Sequence, residues 1–477
     1  MLSFRSSASE SSSPSRSPVA WSWFALLPVL GVAALLRFIG LGLYPGYIYD
    51  EYYYVPAALS LLGHPITRTL AQAPAGYDPN LLSAPPFAKE IIALSIWLFG
   101  NHPEAWRLPS AVLGTIVPLL VYGLTRDLFP GHPRIAWGTA ALAAVDGLLV
   151  TLSRVALLDS IALPLLIANG WGLWRVHQMI QGIRPWSARF IGIWGLGLGL
   201  GFAAKWNGAQ MILLSWIVLA WDTPLWARHP RKHQLMLWLA PTFIALSAYI
   251  VTYGYAWPQG FRFSWLPHEF FLGWAVLQWQ IIRHMWHLQF FHPWSTTTLS
   301  MITWARPTAF IDQWGPHHTL VRLWAFSDPF VIWTGLGALA AQGLAGLARI
   351  RQTHRVPRLN PWLFLGWWVV CLYGTWFLTA RTKFDYYFAY TMPALIIAVV
   401  ATIGLGWPHW PVSWRTLGVT VITVIVSTTL YLLPLWVAYP MSPGFYHRYW
   451  WNNAWNPKIH QTAQAAASVQ RKKETVP

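Results

Sequence analysis

Long apolar runs separated by short polar or basic stretches set the rhythm of this chain. Runs at 21–36, 107–125, 135–151, 156–174, 188–204, 207–221, 235–254, 329–348, 360–380, 386–406 and 414–437 each come near the roughly 20 apolar residues a helix needs to cross hydrocarbon. A lipid-exposed span must satisfy its own backbone, so each run is expected to be helical. The pattern predicts about eleven membrane helices in one membrane domain, 21–437. A shorter run, 87–99, opens with Lys89 and Glu90 and reads as a helix lying in the interface. Outside the spans are a Ser-rich tail over 1–20, two long loops at 44–106 and 255–328, and a C-terminal tail over 438–477.

Composition agrees with the pattern. Of 477 residues, 55% are hydrophobic and 10% charged, against roughly a quarter charged in soluble domains. The net charge of +17 does not point to nucleic acid, because Lys and Arg sit between apolar runs and not on one binding module. If the N-terminus is cytoplasmic and 87–99 does not cross, the inner loops hold Arg126 and Arg134; Arg175, Arg184 and Arg189; Arg228, Arg231 and Lys232; and Arg349, Arg351, Arg355 and Arg358. That is the positive-inside pattern. It turns the loops 44–106 and 255–328 and the C-terminal tail outward. The N-terminal run resembles a signal peptide, but no small-residue cleavage site precedes the polar turn at Tyr44, so it is read as an uncleaved first span. Cys371 is the single cysteine, which excludes an intrachain disulfide and a Cys-based metal site.

Candidate chemistry gathers on the outer face. Asp50-Glu51 follows the first span in a chain with only 15 acidic residues; a carboxylate beside a hydroxyl is a natural general base, while its structural alternative is a solvated loop start. Positive-inside predicts few outer cations, yet Arg37, Lys89, Arg107, Arg154, Lys205, Arg381 and Lys383 fall there. Each alone also reads as a snorkelling anchor; together they suit a lipid-linked phosphate, which Arg grips bidentately. Asp146 and Asp159 lie near Arg154 in sequence, which predicts either an ion pair joining two helices or a role in positioning substrate. His284, His287 and His292 have no nearby carboxylate or Cys to complete a shell, so no metal is expected.

The assembled motifs resemble the protein O-mannosyltransferases, multispan glycosyltransferases of the C-type fold. The resemblance runs nearly end to end. It rests on an Arg in the first span followed by Asp50-Glu51, on Ala84-Pro-Pro-Phe-Ala-Lys89 (like His-Pro-Pro-Leu-Ala-Lys) and on Arg107-Leu-Pro-Ser110. It continues with Ser153-Arg-Val-Ala-Leu-Leu-Asp159, Lys205-Trp206, His292-Pro-Trp-Ser295, Trp304-Ala-Arg-Pro307, Asp328-Pro329 and Tyr386-Tyr387-Phe-Ala-Tyr390.

The resemblance implies an all-α polytopic fold and mannose transfer from polyprenyl-phosphate-mannose to Ser or Thr hydroxyls of secreted or membrane proteins. The anomeric centre would be inverted, at the outer face of the cell membrane. It implies Asp50 as base with Glu51 also catalytic, and Arg37, Lys89, Arg107 and Arg381 on the donor phosphate. Arg154, Asp159, Lys205, His292 and Tyr387 are expected to position substrate, with no cofactor or divalent metal required. Ala84 stands where the family carries His. A related group that moves aminoarabinose onto lipid A shares the Pro-Pro-Leu region, which keeps a lipid or envelope glycan open as acceptor. A transporter or flippase is the rival of another class; it expects charges near the bilayer midplane in repeated halves, and no repeat is visible in this sequence.

Overall fold

The computed structural model describes residues 23–64, 84–226, 229–254, 270–289, 292, 294–303, 306–315, 318–355 and 357–449. The expectations for the 1–20 tail and for the tail beyond 449 lie outside the described residues, as do the middle of the first outer loop and the start of the second. After one 3-10 turn come α1 (Leu27–Phe38), α2 (Glu51–Leu61), α3 (Phe87–Phe99), α4 (Pro103–Leu128), α5 (Pro133–Val145) and α6 (Gly147–Leu152). Next are α7 (Leu158–Ile180), α8 (Ala188–Ala204), α9 (Gly208–Trp221), α10 (Arg231–Val251) and α11 (Phe270–His287). A hairpin of β1 (Thr308–Trp314) and β2 (Leu320–Ala325) leads to α12 (Pro329–Thr353), α13 (Pro361–Leu372), α14 (Met392–Gly406) and α15 (Val412–Trp436).

Among the described residues, α4, α10, α12, α15 and α13 continued to Leu378 are long and apolar enough to cross a membrane, and Phe24–Phe38, α8, α9 and α14 are shorter apolar helices. The chain is a multi-pass membrane protein. A helix is present over the run 87–99 as α3, packed on α2 and α4, with Leu94, Trp97, Leu98 and Phe99 exposed along it.

Three features depart from the apolar pattern. The run 135–151 is two helices, because Asp146 takes an extended backbone (φ −58°, ψ 128°) and its side chain accepts the Leu149 N–H, capping α6. The run 386–406 starts as a 3-10 turn over Asp385–Tyr390, with helix only from Met392. The hairpin corrects the all-α expectation: β1 and β2 pair antiparallel from Thr308↔Ala325 to Trp314↔Leu320, with an irregularity between Ala309 and Ile311.

One apolar core runs from Val55 on α2 through Val121, Ile167 and Ile397 on α4, α7 and α14. Helices α8 and α10 pack at backbone range. A Cβ on Gly195 would lie 2.7 Å from Pro241 Cα, and one on Gly199 would lie 2.4 Å from the Ala245 carbonyl oxygen. Small residues four apart permit that approach in hydrocarbon, where water supplies no drive between helices.

Candidate active site

Glu51 and Asp50 are neighbours with opposite surroundings. Glu51 is fully buried and accepts Arg107 Nε and Nη2, both at 2.9 Å, and the N–H groups of Ile48 and Ala156, both at 2.8 Å. Arg107 places its other hydrogens on the carbonyls of Leu41 (3.0 Å), Tyr44 (2.8 Å) and Gly46 (2.7 Å). The pair therefore ties the 41–51 loop to α4 and to the chain entering α7. A carboxylate accepts about four such bonds and a guanidinium donates five. All four acceptor positions of Glu51 and all five N–H groups of Arg107 are thereby taken up within the fold, so these two residues, expected as a catalytic group and a phosphate ligand, stand here as a tie between elements.

Asp50 is the N-cap residue of α2, but its side chain makes no cap bond. Its partner is Tyr386, whose hydroxyl donates to Oδ2 at 3.3 Å. The residue before it, Tyr49, sits at φ 50°, a left-handed conformation uncommon for a bulky side chain. It is held by Phe310 of β1 (4.8 Å between ring centroids), by Tyr386 (5.7 Å) and by the edge of His292 (6.0 Å). Burial pushes the Asp50 carboxyl up to about 6; Asp159 adds to the rise, while Lys205, the Tyr386 hydrogen bond and Arg381 oppose it. Such a group is ionised at neutral pH and still basic enough to accept a proton.

A second layer faces Asp50. Lys205, at the end of α8, pairs with Asp159 at 2.5 Å, and Asp159 also accepts the Tyr390 hydroxyl at 3.0 Å. The Lys205 ammonium lies 5.6 Å from the Tyr386 ring centre and 5.0 Å from that of Tyr387, within cation–π range. Arg381 Nη2 donates to the Tyr387 hydroxyl at 3.1 Å, and Tyr387 stacks on Trp376 at 4.7 Å. Arg381 Nε is buried with no hydrogen-bond partner among the described residues.

Arg381 also lines a cavity of about 610 Å³ bounded by α8, α9, α10, α11 and the 375–381 segment. Its wall is largely apolar, with Leu213, Leu246, Trp274, Ile282 and Trp376. Arg381 is the one charged residue in its described lining.

The other expected cations are occupied elsewhere. Arg37 is buried between α1, α5 and α6 on the carbonyls of Ala33 (3.1 Å) and Ala144 (2.9 Å), with Ser153 Oγ at 3.3 Å. Lys89 is buried and donates to the Ala84 carbonyl at 2.9 Å. Arg154 forms no pair with Asp146 or Asp159. It bonds instead to the carbonyls of Leu36 (2.6 Å) and Val437 (3.2 Å), joining the ends of α1 and α15. Lys383 turns to the Thr379 carbonyl at 2.7 Å, and Asp146 accepts from Ser327.

Of the expected residues, Asp50, Asp159, Lys205, His292, Arg381 and Tyr387 come together; Arg37, Lys89 and Arg154 do not join them. Tyr49, Tyr386 and Tyr390 were not singled out as site residues, although their clustering in two short tyrosine-rich stretches was a signal. Among the described residues no group of three or more His, Cys, Asp or Glu could hold a metal ion. The side chains of His284 and His287 lie outside the described residues.

The helical arrangement is shared with solved multispan membrane proteins of the C-type fold. The S. cerevisiae protein O-mannosyltransferase Pmt1-Pmt2 complex bound to its sugar donor superposes with a TM-score of 0.72 over 90% of this chain and 92% of that one, at 12% identity.

In sequence, the chain is similar to protein mannosyltransferases. Residues 78–256 match the family model for dolichyl-phosphate-mannose-protein mannosyltransferases. The polyprenol-phosphate-mannose–protein mannosyltransferase of Mycobacterium tuberculosis is 24% identical across 91% of this chain and 92% of its own length. The Corynebacterium glutamicum protein of the same name is 31% identical over 185 residues, a match spanning 35% of each chain.

Proposed function

We propose that the chain transfers mannose from a polyprenyl-phosphate-mannose donor to Ser or Thr hydroxyls of secreted or membrane proteins, at the outer face of the cell membrane. What carries the reading is an apolar cavity in which Arg381, the one charged residue of its described lining, reaches Asp50 through Tyr387 and Tyr386. The isoprenoid chain lies along the cavity and its phosphate meets Arg381. The acceptor hydroxyl oxygen forms a bond to the anomeric carbon as the bond from that carbon to the phosphate oxygen breaks. Asp50 takes the hydroxyl proton, and the electron pair of the broken bond leaves on the lipid phosphate, where Arg381 stabilises it. One displacement with one base inverts the anomeric centre. Lys205 and Asp159 hold Tyr386, Tyr387 and Tyr390 in place, and His292 packs against Tyr49 behind Asp50. The scheme requires no metal, because a side chain meets the charge that develops on the phosphate.

Membranes carrying the chain or its Asp50→Asn form, supplied with radiolabelled polyprenyl-phosphate-mannose, test this reading. The expected result is Asp50-dependent label on protein, released by alkaline elimination. Asp50-dependent label in lipid or glycan would keep the donor and replace the acceptor. Equal labelling by both forms would remove Asp50 from the role of base.

A further inference from the structure

A second large cavity, about 700 Å³, lies between the C-terminal half of α12, the start of α13 and Trp221 at the end of α9. Helix α12 is 25 residues long, and the cavity runs along it from Leu339 to Thr353, so its rim at Arg349 and Arg355 lies at the end of the helix remote from Asp328 and the hairpin. Its floor is open: Gly343, Gly346 and Gly366 line it, and a Cβ on any of them would meet nothing within 4 Å. Its rim carries Arg349 and Arg355, both exposed. Neither guanidinium has a hydrogen-bond or ion-pair partner among the described residues. Trp221, Trp362 and Trp367 border it, residues enriched at headgroup depth.

We propose that this groove binds an anionic phospholipid of the cytoplasmic leaflet, with acyl chain on the glycine floor and phosphate between Arg349 and Arg355. Charge selects this occupant. Arg349, Arg351, Arg355 and Arg358 crowd one connection, and no acidic residue stands between Asp328 and Asp385. Basic pockets between membrane helices on the cytoplasmic side suit such headgroups. A second copy of a chain with net charge +17 would bring like charge to the same place, and a zwitterionic lipid carries its own cation beside its phosphate and so leaves the net charge of the two arginines unbalanced. The proposal is independent of the sugar-transfer reading.

The test uses the full chain purified in detergent, melted with phosphatidylglycerol, cardiolipin or phosphatidylcholine. The anionic lipids are expected to raise the melting temperature and phosphatidylcholine is not. Arg349→Gln with Arg355→Gln should weaken the anionic lipids about thirtyfold, the loss expected for two basic side chains at a charged lipid surface. Gly346→Leu fills open space and should keep the lipid-free melting temperature while abolishing the shift. Equal stabilisation by phosphatidylcholine, or undiminished binding by the double variant, would overturn the proposal. So would a change of oligomeric mass in Gly346→Leu with anionic lipid binding intact, which would make the groove a contact between copies.

Discussion

A carboxylate holding four hydrogen bonds stands beside one holding a single phenol, and their variants should behave oppositely. Glu51→Gln or Arg107→Ala breaks a fully buried pair and leaves its partner uncompensated, at a cost of about 3–5 kcal/mol. Both should melt much earlier in detergent, whereas Asp50→Asn should keep the wild-type melting temperature and lose turnover. A second prediction concerns pH. In the proposed scheme transfer depends on the ionised form of Asp50, whose carboxyl lies near 6, so activity should be present above about 6 and fall as pH drops through that value. The Tyr386 hydrogen bond favours the carboxylate, so Tyr386→Phe should move the inflection upward; a profile that stays in place would detach the phenol from the base. The sequence marked both carboxylates as candidates. It could not divide their labour, because Glu51 is claimed by Arg107, 56 residues on, and by the Ala156 N–H, 105 residues on.

At the level of elements, the legible features were those carried by local periodicity. The long apolar helices and α3 follow from runs of apolar residues, while the break in 135–151 depends on one side chain, Asp146, accepting the Leu149 N–H. The hairpin was readable in principle, since Thr308-Ala-Phe-Ile and Leu320-Val-Arg-Leu-Trp are separated by Gly315-Pro316, a turn signal between β-favouring stretches. It brings Phe310 against Tyr49 and Tyr386 and so forms one wall of the candidate site. Gly199 carries an element-scale prediction. A side chain there meets the Ala245 carbonyl oxygen, so Gly199→Val should push α8 from α10, whose ends supply Phe202, Trp206, Leu246 and Tyr249 to the cavity. Overpacking of this kind costs about 1–3 kcal/mol. Detergent melting should show the loss, and the apparent KM for donor should rise more than it does for a variant on the exposed face of α8.

For the molecule as a whole, the distribution of Arg and Lys predicts an orientation that chemistry can check. Cys371 is buried and single, so Cys371→Ala gives a background free of cysteine. A cysteine placed at Arg355 should react with a membrane-impermeant thiol reagent only after the membrane is opened from the cytoplasmic side, and one at Asn101 in intact cells; the reverse pattern would invert the topology. The Glu51–Arg107 tie has a further consequence, in the temperature dependence of turnover. Because one buried pair fastens the 41–51 loop, the proposed base Asp50 sits on a segment already ordered before substrate arrives, and in that scheme the entropy of fixing it belongs to folding and not to each catalytic cycle. Loosening the tie would transfer that entropy to the reaction, and a variant that still folds would show it as a more negative activation entropy, with the chemistry at the anomeric carbon unchanged.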